Sequence, residues 1–140
     1  MSNATPPTTG VGQLDDESST ERVLLREDIG RTLASEGYGS VKVLSHEAAD
    51  RVFTQKRREI LRLLEQVEIE SQRELARRLD RDPGAVQRDL QTLIEADLVT
   101  VERDGRAKRP VLTHDTVVVE PLTAPRVDPE TPSYTVENEP

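Results

Sequence analysis

Residues 71–113 read SQRELARRLDRDPGAVQRDLQTLIEADLVTVERDGRAKRPVLT, and their spacing decides the fold. Ser71 and Glu74 stand at capping-box separation and open a short helix that turns Leu75, Ala76 and Leu79 inward. Asp82 followed by Pro83 supplies a side-chain cap and a first helical residue with its φ already set. The helix so begun is predicted to run to about Ala96, with Val86, Leu90 and Leu93 at i, i+4 and i+7. Only the tetrad Leu79–Asp82 separates the two helices, which is the signature of a helix-turn-helix. Beyond them, Leu98 to Arg103, a turn at Asp104-Gly105 and a second extended run through Val111 to Thr113 predict a β-hairpin.

Working outward, Thr54 caps a predicted helix to about Gln66, whose inward face is Ile60, Leu61 and Leu64, with Lys56, Arg57, Arg58 and Arg62 around it. Upstream, Leu25, Ile29 and Leu33 recur every fourth position and Gly37 follows, so a helix is expected over Glu21 to Glu36. Val41 to Leu44 reads as a strand, and Ser45 can cap a brief helix with Ala48, Ala49 and Val52. The two ends lack apolar periodicity: the first is rich in Thr, Ser, Pro and Gly, the last holds five of the nine prolines. The expected architecture is mainly α with a small β-hairpin wing, an α+β winged helix-turn-helix with disordered termini. Its parts are a leader over 1–20, a helix and strand over 21–53 that offer a dimerisation segment, the winged helix-turn-helix over 54–120, and an acidic, proline-rich tail over 121–140.

Composition narrows the function. At 140 residues, with 34% hydrophobic and 2% aromatic side chains, the chain supports one domain with a small aliphatic core and little room for a buried active site. Cysteine is absent, which removes disulfides, thiolate metal sites and cysteine nucleophiles. His46 and His114 are remote from each other in sequence and lack metal-ligand spacing, so no metal, cofactor or catalysis is expected. Gly10-Val11-Gly12 has no flanking strand and helix to make a nucleotide loop, and Asp80, Asp82 and Asp89 read as caps and as a salt-bridge face with Arg81 and Arg88. No apolar stretch approaches the ~20 residues of a membrane span, and the first residues lack a signal-peptide pattern, so a soluble cytoplasmic protein is expected.

The net charge of −8 opposes binding to a polyanion until it is mapped. From Arg51 to Pro110 there are 14 basic and 12 acidic residues, so the acidity lies in the flanks. On the third helix the outward residues of the N-terminal half are Gly84, Gln87, Arg88 and Gln91. That half is the part a recognition helix directs at base edges, where Arg pairs with guanine and Gln with adenine, and a glycine lets the backbone come close. Arg103, Arg106, Lys108 and Arg109 crowd the predicted hairpin tip, where cations can lie along the phosphate backbone or in the minor groove. Arg73, in the first helix of the motif, completes the expected contact set. The expected partner is double-stranded DNA, bound by a homodimer whose spare surfaces are the helix over 21–36 and the strands at 41–44 and 117–119. Stacking aromatics of the kind single-stranded RNA readers use are scarce, since only Tyr38, Phe53 and Tyr134 exist.

The segment RREILRLLEQVEIESQRELARRLDRDPGAVQRDLQTLIEADLVTVERDGRAKRP, residues 57–110, resembles the winged-helix transcriptional regulators of archaea and bacteria, in the broad group with MarR-like and ArsR-like proteins. More narrowly, VFTQKRREIL followed by this pattern is similar to a haloarchaeal family of predicted DNA-binding proteins, and 16 arginines against 3 lysines in an acidic chain match the style of halophilic proteomes. The resemblance implies a transcriptional regulator that reads double-stranded DNA. It departs from the group where a dimerising helix often follows, since here Val117 to Val119 and then prolines come next. The alternative is a winged helix that binds a protein partner, such as an antitoxin or an assembly subunit of a two-protein operon; the polar face carrying Gln87, Arg88 and Gln91 favours DNA.

Overall fold

A computed structural model describes residues 20–124 and 133–137; the sequence-based expectations for 1–19 and for most of the tail lie outside the described residues. The described chain is α+β, with five α-helices, an antiparallel hairpin and a parallel strand pair. No helix among the described residues is long and apolar enough to cross a membrane.

Three helices make the centre. Helix α3 (Gln55–Gln66) begins where the Thr54 hydroxyl accepts from the Arg57 N–H, and α4 (Gln72–Leu79) where the Ser71 hydroxyl accepts from Glu74 N–H. The reciprocal half of the expected capping box is displaced by one residue. Glu74 Oε1 takes the N–H of Glu70 at 2.7 Å, so the carboxylate closes the loop before the helix. That backbone bond, helped by Arg78 and Arg77, outweighs desolvation and holds the Glu74 carboxyl below its usual pKa. Asp80 then adopts a left-handed conformation, φ 55°, that Asp tolerates better than most side chains, and so turns the chain sharply. Helix α5 (Pro83–Glu95) starts three residues later, with the Asp82 carboxylate accepting from Ala85 N–H and Pro83 in the first turn.

The stripes foreseen on these helices meet one another. Ile60 of α3, Leu75 and Ala76 of α4, and Val86, Leu90 and Leu93 of α5 are all buried, joined by Ile69, Leu98 and Val99. Strands β2 (Val99–Asp104) and β3 (Ala107–Leu112) pair in antiparallel register from Val99↔Leu112 to Asp104↔Ala107 and pack on α3, α4 and α5. The tip is therefore Gly105-Arg106, one residue later than expected. Gly105 has φ +66°, at the first position of a two-residue loop, where a side chain would be strained. Pro110 buries its ring against this core while occupying a strand position, as a strand at a sheet edge permits.

A second layer is built from segments far apart in sequence. Helix α1 (Thr20–Leu33) ends in a π-type turn over Ala34–Tyr38, where Gly37 takes φ 100° and stops the helix as expected. Strand β1 (Val41–Leu44) pairs in parallel with β4 (Thr116–Val119), Val41 facing Thr116 and Leu44 facing Val119. Helix α2 (His46–Val52), capped by Ser45, joins this layer to α3. The strands at 41–44 and 117–119 are thus not both spare surfaces: each spends one edge on the other within a single chain, and α1 packs on β1. Asp115 ties their starts together, its Oδ2 accepting from the N–H of Ser40 at 2.9 Å, while Gly39 leaves room that any Cβ would take from that carboxylate.

Glu120, directly after β4, locks the layer. Its side chain is 4% exposed, yet it accepts from Arg26 Nη1 at 3.0 Å and from the His46 backbone N–H at 2.9 Å, with Arg22 at 3.6 Å. Burial pushes this carboxyl up, but the bond from His46 and the two guanidinium groups outweigh it and hold the pKa below the usual carboxylate range. One anion therefore draws α1, β4 and the start of α2 to a single point.

Candidate nucleic-acid interface

The outer face of α5 follows from its inner one. With Val86, Leu90 and Leu93 buried, Gly84, Gln87, Arg88 and Gln91 are all exposed on its N-terminal half and centre. Gln91 Nε2 lies 3.4 Å from Glu95 Oε2, a weak contact on an exposed face, and Arg88 makes no ion pair among the described residues. Gly84 has a reason inside the fold as well. A Cβ there would stand 3.1 Å from Asp82 Oδ2 and crowd the carboxylate that caps the helix.

At the wing, Arg103, Arg106 and Lys108 are exposed and make no ion pair among the described residues. Arg109 differs. Its side chain is 22% exposed, and the guanidinium spans Glu68 at 3.1 Å and Glu102 at 2.9 Å. The bond it donates to Glu102 leads the causes that raise its pKa above the ordinary guanidinium value. Its charge is spent on joining the α3–α4 loop to β2, so of the four wing cations three remain for an external anion. Arg73 is exposed in the first turn of α4, on the helix that precedes the turn. The structure thus puts Gly84, Gln87, Arg88 and Gln91 on one helix face and Arg103, Arg106 and Lys108 around one hairpin tip, and sets Arg109 in mid-strand, opposite Glu102.

Two basic residues not expected at the site bear on it. Asp89, predicted to pair along the surface with Arg81 and Arg88, keeps Arg81, whose Nη2 donates to one oxygen at 2.6 Å, and in place of Arg88 receives Arg57 Nε at 3.0 Å on the other. Arg57 also donates through Nη1 to the Val52 carbonyl at 3.1 Å. The signal was in the sequence: Asp89 lies at i+3 from Val86 and next to Leu90, inside the inward stripe, where a lone carboxylate demands counter-charge. The sequence does not tell which cation arrives, because Arg57 is 32 residues away.

Among the described residues no group of three or more His, Asp or Glu is placed to hold a metal ion. Residues 52–119 match the model of the family described as HVO_A0114, a haloarchaeal family. The match covers a little under half of the chain, from the last residue of α2 to the last of β4, and leaves out α1 and β1. No curated protein matches the chain.

Proposed function

We propose that this chain is a DNA-binding transcriptional regulator. In this reading α5 enters the major groove with Gln87, Arg88 and Gln91 at base edges, and the β2–β3 wing lays Arg103, Arg106 and Lys108 on the phosphate backbone or in the adjacent minor groove. The observation that carries it is the contrast on α5: a buried apolar stripe behind, and in front an exposed polar face with an arginine uncommitted among the described residues. A face for docking an apolar protein surface would carry apolar side chains there, and it has none.

Net charge does not oppose the reading, since the acidic excess resides in the flanks. Three wing cations give modest counterion release, so affinity must come largely from shape fit and base contacts. A homodimer would double the phosphate contacts and match half-sites about one helical turn apart. The outer edges of β1 and β4 and the outward face of α1 are what the fold leaves for that association.

The test is selection of bound duplexes from a random pool, at low and at molar potassium chloride, with light scattering on the product. Enrichment of a defined and preferably palindromic sequence supports the proposal. No enrichment at either salt, with a second protein retained instead, favours the interaction-module reading.

A further inference from the structure

We infer that Asp89 is the positioning residue of the reading helix: it fixes the rotation and depth of α5 through Arg57 and Arg81, and so sets base preference without touching DNA. This rests on the DNA-binding reading above and concerns how that same face is aimed.

Helix α5 has two kinds of attachment to the rest of the fold. Its apolar stripe of Val86, Leu90 and Leu93 holds it by area, which is non-directional and tolerates small rotations and slides. Asp89 supplies the directional restraint. Its two oxygens point to different elements, one to Arg57 on α3 and the other to Arg81 in the turn between α4 and α5. Both bonds join opposite charges with little exposure, 16% for Asp89, 21% for Arg57 and 11% for Arg81. Charge-assisted bonds of this length are short and angularly demanding, so rotation of the helix about its axis must break one of them.

Arg57 is itself fixed from behind. Its Nη1 bonds to the carbonyl of Val52, the last residue of α2, while its own helix is capped one turn earlier by Thr54. Arg81 is held in a turn whose backbone is locked, with its N–H bonded to the Ala76 carbonyl at 3.0 Å. Its Nη1 is buried and finds no partner among the described residues, so Asp89 is the principal compensation for that charge. Asp89 stands next to Arg88 in sequence, and a turn of α5 that freed it would swing Arg88 and Gln87 by the same angle. Direct base pairing tolerates little such error, because bidentate contacts require both donors in register.

The experiment compares the full-length chain with Asp89→Asn and Arg57→Lys. Each is tested for folding by circular dichroism, and then for affinity to the selected duplex and to a scrambled duplex across a salt series. Asp89→Asn keeps the shape but removes the charge; Arg57→Lys keeps the charge but replaces the two separately directed nitrogens that reach Val52 and Asp89 with one. The expected result is a fall of about tenfold or more in the ratio of specific to scrambled affinity, the size of one lost bidentate base contact, with the salt slope on scrambled duplex unchanged. A residue that serves only stability would lower the melting temperature and leave that ratio intact. Should Asp89→Asn fail to fold, Arg57→Lys alone decides. A folded variant with the wild-type ratio overturns the inference and leaves DNA binding standing. A wild-type chain with no preference for any duplex overturns the DNA reading, and this inference with it.

Discussion

Replacing Glu120 with glutamine tests whether one buried anion holds α1, β4 and the start of α2 together. The carboxylate accepts from Arg26 at 3.0 Å and from His46 N–H at 2.9 Å, with Arg22 at 3.6 Å, and is 4% exposed. Glutamine keeps one acceptor and the shape, but removes the charge and turns an amide N–H2 toward groups that are already donors. At about 1.5–3 kcal/mol for a hydrogen bond to a charged group, and with Arg22 and Arg26 both partly open to water, the loss should be about 2–3 kcal/mol at neutral pH. For a folded unit of this size that lowers the melting temperature by about 8–20 °C. The pH dependence is the sharper measure. Because the folded-state pKa lies below the ordinary carboxylate value, the contribution is fully present above that value and is lost as pH falls through the folded pKa. Thermal melts of wild type and Glu120→Gln followed by circular dichroism should therefore differ most near pH 7 and converge as the solution becomes acidic. A gap that stays constant with pH, or a variant as stable as wild type at pH 7, would refute the reasoning.

Arg88→Ala should fold normally and cost about 1–3 kcal/mol on the selected duplex, with little change on scrambled DNA, measured by fluorescence anisotropy. Arg106→Ala and Lys108→Ala should weaken binding to all sequences alike and reduce the salt slope by about one unit per lost phosphate contact. Arg109→Ala should leave that slope unchanged, because its charge already faces Glu68 and Glu102. Leu90→Ala, at a position 1% exposed, should cost about 2–5 kcal/mol in urea denaturation; a loss below 1 kcal/mol would mean that the α5 stripe is not the centre of the core.

The central helices were legible because their signals are local. Thr54, Ser71 and Asp82 cap within three residues, and the spacing of Val86, Leu90 and Leu93 reports one helix face regardless of what packs on it. The exposed set on α5 followed by subtraction. What the sequence hid is pairing across distance. Four-residue runs such as Val41–Leu44 and Thr116–Val119 carry strand propensity but no register or partner, so two strands that join each other read as separate free surfaces. Charged residues are equally mute: Arg103, Arg106, Lys108 and Arg109 look alike in RDGRAKRP, and only the strand register that sets Glu102 opposite Arg109, with Glu68 some 41 residues earlier, removes it from the group. The hairpin tip shifted by one residue because both Asp104-Gly105 and Gly105-Arg106 contain the glycine a tight turn needs, and the register of the flanking strands chooses between them.

The parallel joining of β1 to β4 also sets an order of events during synthesis. Helix α1 emerges from the ribosome early, but the carboxylate that fastens it is residue 120, some 87 positions after the helix ends. At about 5–20 residues per second that is roughly 4–17 s in which α1 and β1 are present without β4 and Glu120. Helices α3 to α5, with their local contacts, can assemble in that interval, whereas the parallel pair must wait for the far strand to arrive. The first of the described helices is thus the last secured, and a nascent chain halted before Glu120 would carry an assembled core of α3 to α5 beside an undocked α1.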